Sequence, residues 1–286
     1  MGLRIQTNVE AFNAHRQLTA TADKAAAAME KLSSGYRINR AADDAAGLAI
    51  SEKMEAQIGG LDQAQRNAQD GVSLVQTAEG SLNEVHSMLQ RVRDLKVQYQ
   101  NGTLDSSDQN AIVSEVKQLS TEIGNIRSQT KFNGIKLLDG TGGTSGTISF
   151  QVGANTGETV SVTTKDITAS ATSVGMSKLA AVGSAATDAA ATTAFNALSL
   201  DDIDEAINSV SSLRGTFGAV QNRLDHRLNN LSTYQENLVS SESRIKDVDM
   251  ASEMVNFSKL QILQQAGTSM LAQANQAPQS VLSLLR

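Results

Sequence analysis

Apolar residues recur at alternating steps of four and three along four long segments of this chain. The longest clean series is Ala64, Ala68, Gly71, Val75, Ala78, Leu82, Val85, Leu89 and Val92, and no proline interrupts it. A repeat of 3.5 residues draws one narrow stripe along a helix, and the stripe needs a partner helix wound left-handedly around it. A helix over about 62–99 would be roughly 57 Å long at 1.5 Å per residue, more than a small globule houses. The spacing predicts a rod.

The same spacing marks both terminal segments. Leu18, Ala22, Ala25, Met29, Leu32 and Tyr36 follow it, with Ile5, Val9 and Phe12 ahead of them. Leu260, Leu263, Gly267, Met270, Ala274, Ala277, Val281 and Leu284 repeat it at the other end. Termini of compact domains are usually tucked away or frayed, whereas these are written for helix–helix contact. The expected polymerisation seam is Val9, Phe12, Leu18, Met29, Leu32, Leu260, Leu263, Met270, Val281 and Leu284. About six large residues in the N-terminal stripe offer roughly 1.5–3 kcal/mol each on burial. Ordering the backbone costs roughly 1–2 kcal/mol per residue, and isolated helices are marginal in water. Both terminal helices are therefore expected to stay disordered until copies pack together. Heterologous contacts of that kind propagate into an open array.

Between these segments the reading is a helix over 1–36, a shorter one over 43–58, and the long one over about 62–99. Asn101-Gly102 ends the long helix, and a partner begins near Asp105 with the stripe Ile112, Val116, Leu119, Ile123 and Ile126. So short a turn implies antiparallel packing. The period then switches to two: Ile148, Phe150 and Val152, then Val160 and Val162, read as a β-hairpin, with an earlier turn at Phe132-Asn133-Gly134. Residues 168–199, rich in Ala, Ser and Thr, lose clear periodicity and read as an exposed, weakly constrained excursion with room for some helix. Helical spacing resumes over 201–242 with Ile203, Ile207, Val210, Leu213, Phe217, Val220, Leu224, Arg227, Leu231, Tyr234 and Leu238. The expected fold class is mainly α: a long antiparallel coiled-coil helical rod with a small β-hairpin region. The expected divisions are 1–42 and 243–286 for the terminal assembly part, 43–167 and 201–242 for the rod, and 168–200 for a variable surface excursion.

Composition narrows the function. Nine aromatic residues (six Phe, three Tyr), no Trp and one Pro cannot fill a wide core, whereas Ala-rich helices approach closely. A net charge of −6 without a basic face argues against nucleic acid. With no cysteine, disulfides and thiolate metal sites are excluded. The chain has no secretory leader pattern, and no apolar run long enough to insert in a membrane. His15, His86 and His226 stand far apart without ligand-spaced companions, so no metal or cofactor is expected. Asp43 and Asp44 are adjacent, so they diverge by about 100° on a helix and serve as helix-terminal charges or in a salt bridge rather than as a catalytic pair. Gly140, Gly142, Gly143 and Gly146 lack the Lys-Ser/Thr of a phosphate loop. No catalytic cluster is present, and the chain is not expected to be an enzyme.

The run SSGYRINRAADDAAGLAIS at 33–51 resembles the signature of bacterial flagellin, as does the C-terminal stretch SRIKDVDMASEMVNFSKLQILQQAGTSMLAQANQAPQSVLSLLR, which ends at Arg286. The resemblance covers about 1–140 and 201–286 and implies a short form without large outer domains. It implies an inner tube of terminal helices, an outer tube of rod helices, and swimming motility as the biological role. It further implies secretion through the flagellar type III apparatus without a cleaved signal peptide. The implied partners are further copies of the chain, a flagellar export chaperone, the filament cap and hook-associated proteins. Gln90, Arg91, Leu95 and Glu115 match the patch recognised by the vertebrate Toll-like flagellin receptor, although Asp94 stands where Glu is usual. The family alternative is a hook–filament junction protein; a membrane-active type III translocator is the alternative of another class.

Overall fold

The computed structural model describes residues 8–168 and 174–284, with 277–284 described by backbone alone. The helices are α1 (Val9–Ser34), α2 (Ala45–Tyr99), α3 (Ser106–Gln129), α4 (Val174–Gly183), α5 (Asp188–Ala197), α6 (Leu200–Lys246) and α7 (Met250–Leu284). Two antiparallel hairpins, β1 (Lys131–Phe132) with β2 (Ile135–Lys136) and β3 (Thr147–Gln151) with β4 (Thr159–Thr163), complete the described residues. The chain divides into two compact units, 1–58 with 236–286, and 59–235. The fold is mainly α with a small β region, as the periodicities predict.

In the larger unit all nine residues of the 64–92 stripe are buried. From Val75 to Val92 they share one core with Ile112, Val113, Val116 and Ile123 of α3, and with Ile203, Ala206, Val210, Leu213 and Phe217 of α6. Polar pairs fix the direction of α6 along α2. Arg93 meets Asp204 at 2.7 Å, Arg214 lies 3.9 Å from Glu79, and Gln65 donates to Gln235 at 2.8 Å. Partner numbers fall on one helix as they rise on the other, so the two run antiparallel. The expected break in α2 near residue 60 is absent. Leu61 and Ala64 are each 1% exposed, and their burial outweighs the propensity penalty of Gly59 and Gly60, about 1 kcal/mol each.

The hairpins close this core. Asn133 and Gly134 both have positive φ (48° and 81°), the two-residue turn that matches strand twist. Phe132 thereby pairs with Ile135. In the second hairpin Ile148 opposes Val162 and Phe150 opposes Val160, so one face is apolar. Val152 and Val160 join Ala68 and Leu224 in a smaller cluster. Arg127 clamps Asp166, beyond β4, through two bonds of 2.8 and 2.7 Å.

Residues 174–198 correct the expectation of an exposed excursion. They form α4 and α5, and Met176, Leu179, Val182, Ala191, Phe195 and Leu198 are buried in the main core. Small residues there permit close docking rather than looseness. A Cβ on Gly175 would collide with the backbone oxygen of Asp202. The Ser120 hydroxyl donates to Leu179 O at 2.6 Å, and the Lys178 ammonium pairs with Asp202 at 2.7 Å. The buried Lys96 ammonium donates to Phe195 O at 2.7 Å and lies 4.4 Å from the Phe195 ring centroid. Burial pulls the Lys96 pKa below its ordinary value.

Along α6 the expected stripe continues past Leu224 through buried Leu231 and half-buried Leu238, but not at every position. Arg227 and Tyr234 are exposed, while Leu228 and Gln235 turn inward. Gln235 donates to Asp62 and accepts from Gln65, so the buried row ends in polar contacts.

Candidate assembly faces

In the smaller unit α1 and α7 run antiparallel, and small residues make their contact. Asn8 caps α1 by accepting from Ala11 N at 3.1 Å, and its amide donates to Ala274 O at 2.8 Å. Further along, Leu18 meets Gly267, where a Cβ would stand 3.1 Å from Leu18 Cδ1. Ala25, Ala28 and Leu260 form the buried centre, with Phe257 packed against it. Helices that meet through Ala and Gly approach closely but bury little apolar surface per turn. Among the described residues, three buried apolar side chains form the centre between helices of 26 and 35 residues. The pair is thinly bonded for its length.

The large apolar side chains point elsewhere. Val9 is 56% exposed, Phe12 69%, Met29 54%, Leu263 47% and Met270 64%. Leu18 and Leu260 belong to the α1–α7 contact face, half-buried and buried respectively, and Leu32 is half-buried. The side chains of Val281 and Leu284 lie outside the described residues, as do Ile5 and Ala277. The proposed seam residues thus divide between an inner contact and outward faces. Sequence reading missed this division, although its signal was present. Ala25, Ala28, Gly267 and Ala274 mark the close approach, whereas Val9, Phe12, Met29, Leu263 and Met270 of the same segments are exposed. Met254, Val255 and Ile262, absent from the expected stripe, add to the outward face of α7 at 51, 71 and 67% exposure. Twelve of the fifteen large apolar residues that are exposed among those described belong to this unit. So many exposed large apolar side chains on one unit make it the candidate interaction region.

The segment between α1 and α2 is tied to the end of α6. Arg37 N donates to Lys246 O at 2.6 Å, its guanidinium donates to Ile245 O at 2.7 Å, and Val248 N donates to Gly35 O at 3.0 Å. Lys246 pairs with Glu55 at 2.9 Å and sits 4.9 Å from the Tyr36 ring centroid; the Glu55 carboxylate raises its pKa. Asp43 accepts from the amides of Asn39 and Arg40, which lower its pKa, and Asp44 accepts from Gly47 N at 2.9 Å at the start of α2. The adjacent carboxylates therefore serve turn and helix-end capping.

Of the remaining sequence-marked residues, Gln90 is exposed and Arg91 pairs with Glu115 at 2.7 Å. Leu95 departs from the expectation of a surface patch. At 2% exposure it lies in the main core. His15 and His226 are exposed, while the His86 ring bonds to the Gln90 amide nitrogen at 3.0 Å. Among the described residues no three His, Asp or Glu side chains are grouped to hold a metal, and no helix is long and apolar enough to cross a membrane.

The bacterial flagellin N-terminal helical region matches residues 5–142, and the bacterial flagellin C-terminal helical region matches 200–285. A flagellin of Halalkalibacterium halodurans is 53% identical over 283 residues, covering 99% of each chain. A flagellin of Bacillus subtilis is 50% identical over 305 aligned positions, covering 99% of this chain and all of that one. A solved structure, of a putative flagellar hook-associated protein from Vibrio parahaemolyticus, aligns with a TM-score of 0.54 at 16% identity. That alignment covers 72% of this chain and all of the other. At that identity the likeness concerns the fold alone. With both helical regions matched and relatives of half-identical sequence along their whole length, this chain belongs to the bacterial flagellin family.

Proposed function

We infer that the outward faces of α1 and α7 are the surfaces by which this flagellar filament subunit joins its copies. The observation that carries the reading is the concentration of large exposed apolar side chains on the smaller unit, beside a contact centred on Ala25, Ala28 and Leu260. Val9, Phe12 and Met29 on α1, with Leu263 and Met270 on α7, supply the apolar part of the seam. Leu18 and Leu260 hold the two helices together, and Leu32 is half-buried. Val281 and Leu284 continue the seam by sequence spacing. Burial of such residues against identical neighbours stabilises each by roughly 1.5–3 kcal/mol, and repetition along a helical array multiplies the gain.

In this reading residues 1–42 and 243–286 form the assembly part and residues 43–167 and 201–242 the rod, on which 174–198 packs. The chain acts without catalysis or cofactor. It leaves the cell with its N-terminus intact, by the flagellar export route, in contact with an export chaperone, and meets the filament cap and hook-associated proteins at assembly. Gln90, Arg91 and Glu115 present the surface available to a Toll-like flagellin receptor, with Leu95 in the core. The hook–filament junction alternative gains nothing from the relatives at 50–53% identity, which are flagellins. Replacing Leu263 or Met270 with Asp tests the seam. Seeded elongation should be lost while the circular dichroism and melting of the larger unit stay as in the parent; normal filaments from either variant would remove the seam assignment.

A further inference from the structure

Sulfur in this chain is confined to eight methionines, because cysteine is absent. Their placement is uneven. Met29, Met250, Met254 and Met270 are exposed at 54, 48, 51 and 64%, and all four lie on α1 or α7. In the larger unit Met88 is half-buried and Met176 is 1% exposed. Met54 is half-buried. Among the described residues, the thioethers most open to a dissolved oxidant therefore sit on the two helices proposed above for joining copies. They are interleaved there with Val255, Ile262 and Leu263.

We propose that Met29, Met254 and Met270, with Met250 beside them, are oxidation sites through which peroxide controls whether a subunit can join a filament. This rests on the outward faces of α1 and α7 being the joining surfaces. The thioether sulfur takes one oxygen atom from hydrogen peroxide: the O–O bond breaks, an S–O bond forms and water leaves. Sulfur is oxidised by two electrons and the peroxide is reduced. The sulfoxide is polar and a strong acceptor, so burying it in an apolar seam without a donor is unfavourable. Oxidised free subunits are then excluded from growth, whereas subunits already in a filament keep these sulfurs covered. The change is reversible by methionine sulfoxide reductases, one enzyme for each epimer.

The test treats full-length monomer with hydrogen peroxide, removes the oxidant with catalase, and maps sulfoxides by peptide mass spectrometry. Met29, Met250, Met254 and Met270 should convert ahead of Met88 and Met176. Seeded elongation, followed by light scattering, should slow by about tenfold or more, equivalent to about 1.4 kcal/mol or more at each joining event. Treatment with both reductase classes should restore it. A chain with all four replaced by Leu should elongate equally before and after peroxide. Unchanged elongation of fully converted monomer, or a loss that reductases do not reverse, would overturn the proposal. Untreated L263D separates the two levels. If L263D elongates normally, the joining-surface reading fails; if L263D is blocked but oxidised monomer grows, only the methionine proposal fails.

Discussion

Asp202 closes a capping box, anchors α4 and stands against a glycine, all within one turn of α6. Its carboxylate accepts from Ser199 N at 2.8 Å while Asp202 N donates to the Ser199 hydroxyl at 3.1 Å. The Lys178 ammonium reaches the same carboxylate, and these bonds lower its pKa from 3.8 to about 2. A folded-state value below the unfolded one gives stabilisation that is complete above pH 3.8 and is lost as the pH falls through about 2. Asp202→Asn should therefore destabilise the chain by about 1–2 kcal/mol at pH 7. Its deficit against the parent should shrink between pH 4 and 2 in urea melts; an unchanged deficit across that range would contradict the assignment. Residue-scale roles of this sort are partly legible beforehand. Gly134 announces its turn, while the Asp43-Asp44 pair, open between helix-terminal charges and a salt bridge, proves to accept from backbone amides. The burial of Leu95 was hidden, because a matched surface motif says nothing of what α4 and α5 place over the helix.

At the scale of elements, the seams that are buried within the larger unit were the most legible. The stripe from Ala64 to Val92 names its own buried face, and alternation in 148–162 names the hairpin, because each pattern reports one apolar surface with one period. The failure at 174–198 has a physical cause. Short helices docked through Gly175, Gly183 and Ala191 need close approach more than bulk, so their stripes are too brief and too small to show a period. Composition rich in Ala, Ser and Thr then resembles a solvated loop. Gly175→Ala should expose the difference, since the added methyl meets the Asp202 backbone. A loss of about 1–3 kcal/mol is expected, with faster amide exchange confined to 174–198 and adjoining turns. Unaltered stability and exchange would mean that this docking is not tight.

For the molecule as a whole, the two units differ in how completely they satisfy themselves. In the larger unit α2, α3, α6, the hairpins and α4–α5 enclose large side chains such as Phe195, Phe217, Leu82 and Leu89. In the smaller unit Ala25, Ala28 and Leu260 are the buried centre of two long helices, and Phe12, Val255 and Met270 stand in solvent. Periodicity showed that both ends seek helical partners, but it could not separate the face turned to the other terminus from the face left for a neighbour, because both obey the same spacing. The central claim is that these outward faces are completed only by further copies of the chain, so the terminal helices are weakly held before assembly. Hydrogen exchange over residues 9–34 and 250–276, compared between dilute monomer and filament, tests it most directly. Exchange should be fast in the monomer and slow in the filament across both segments, with the 64–92 amides slow in each. Equally strong protection of both terminal helices in dilute monomer would contradict it.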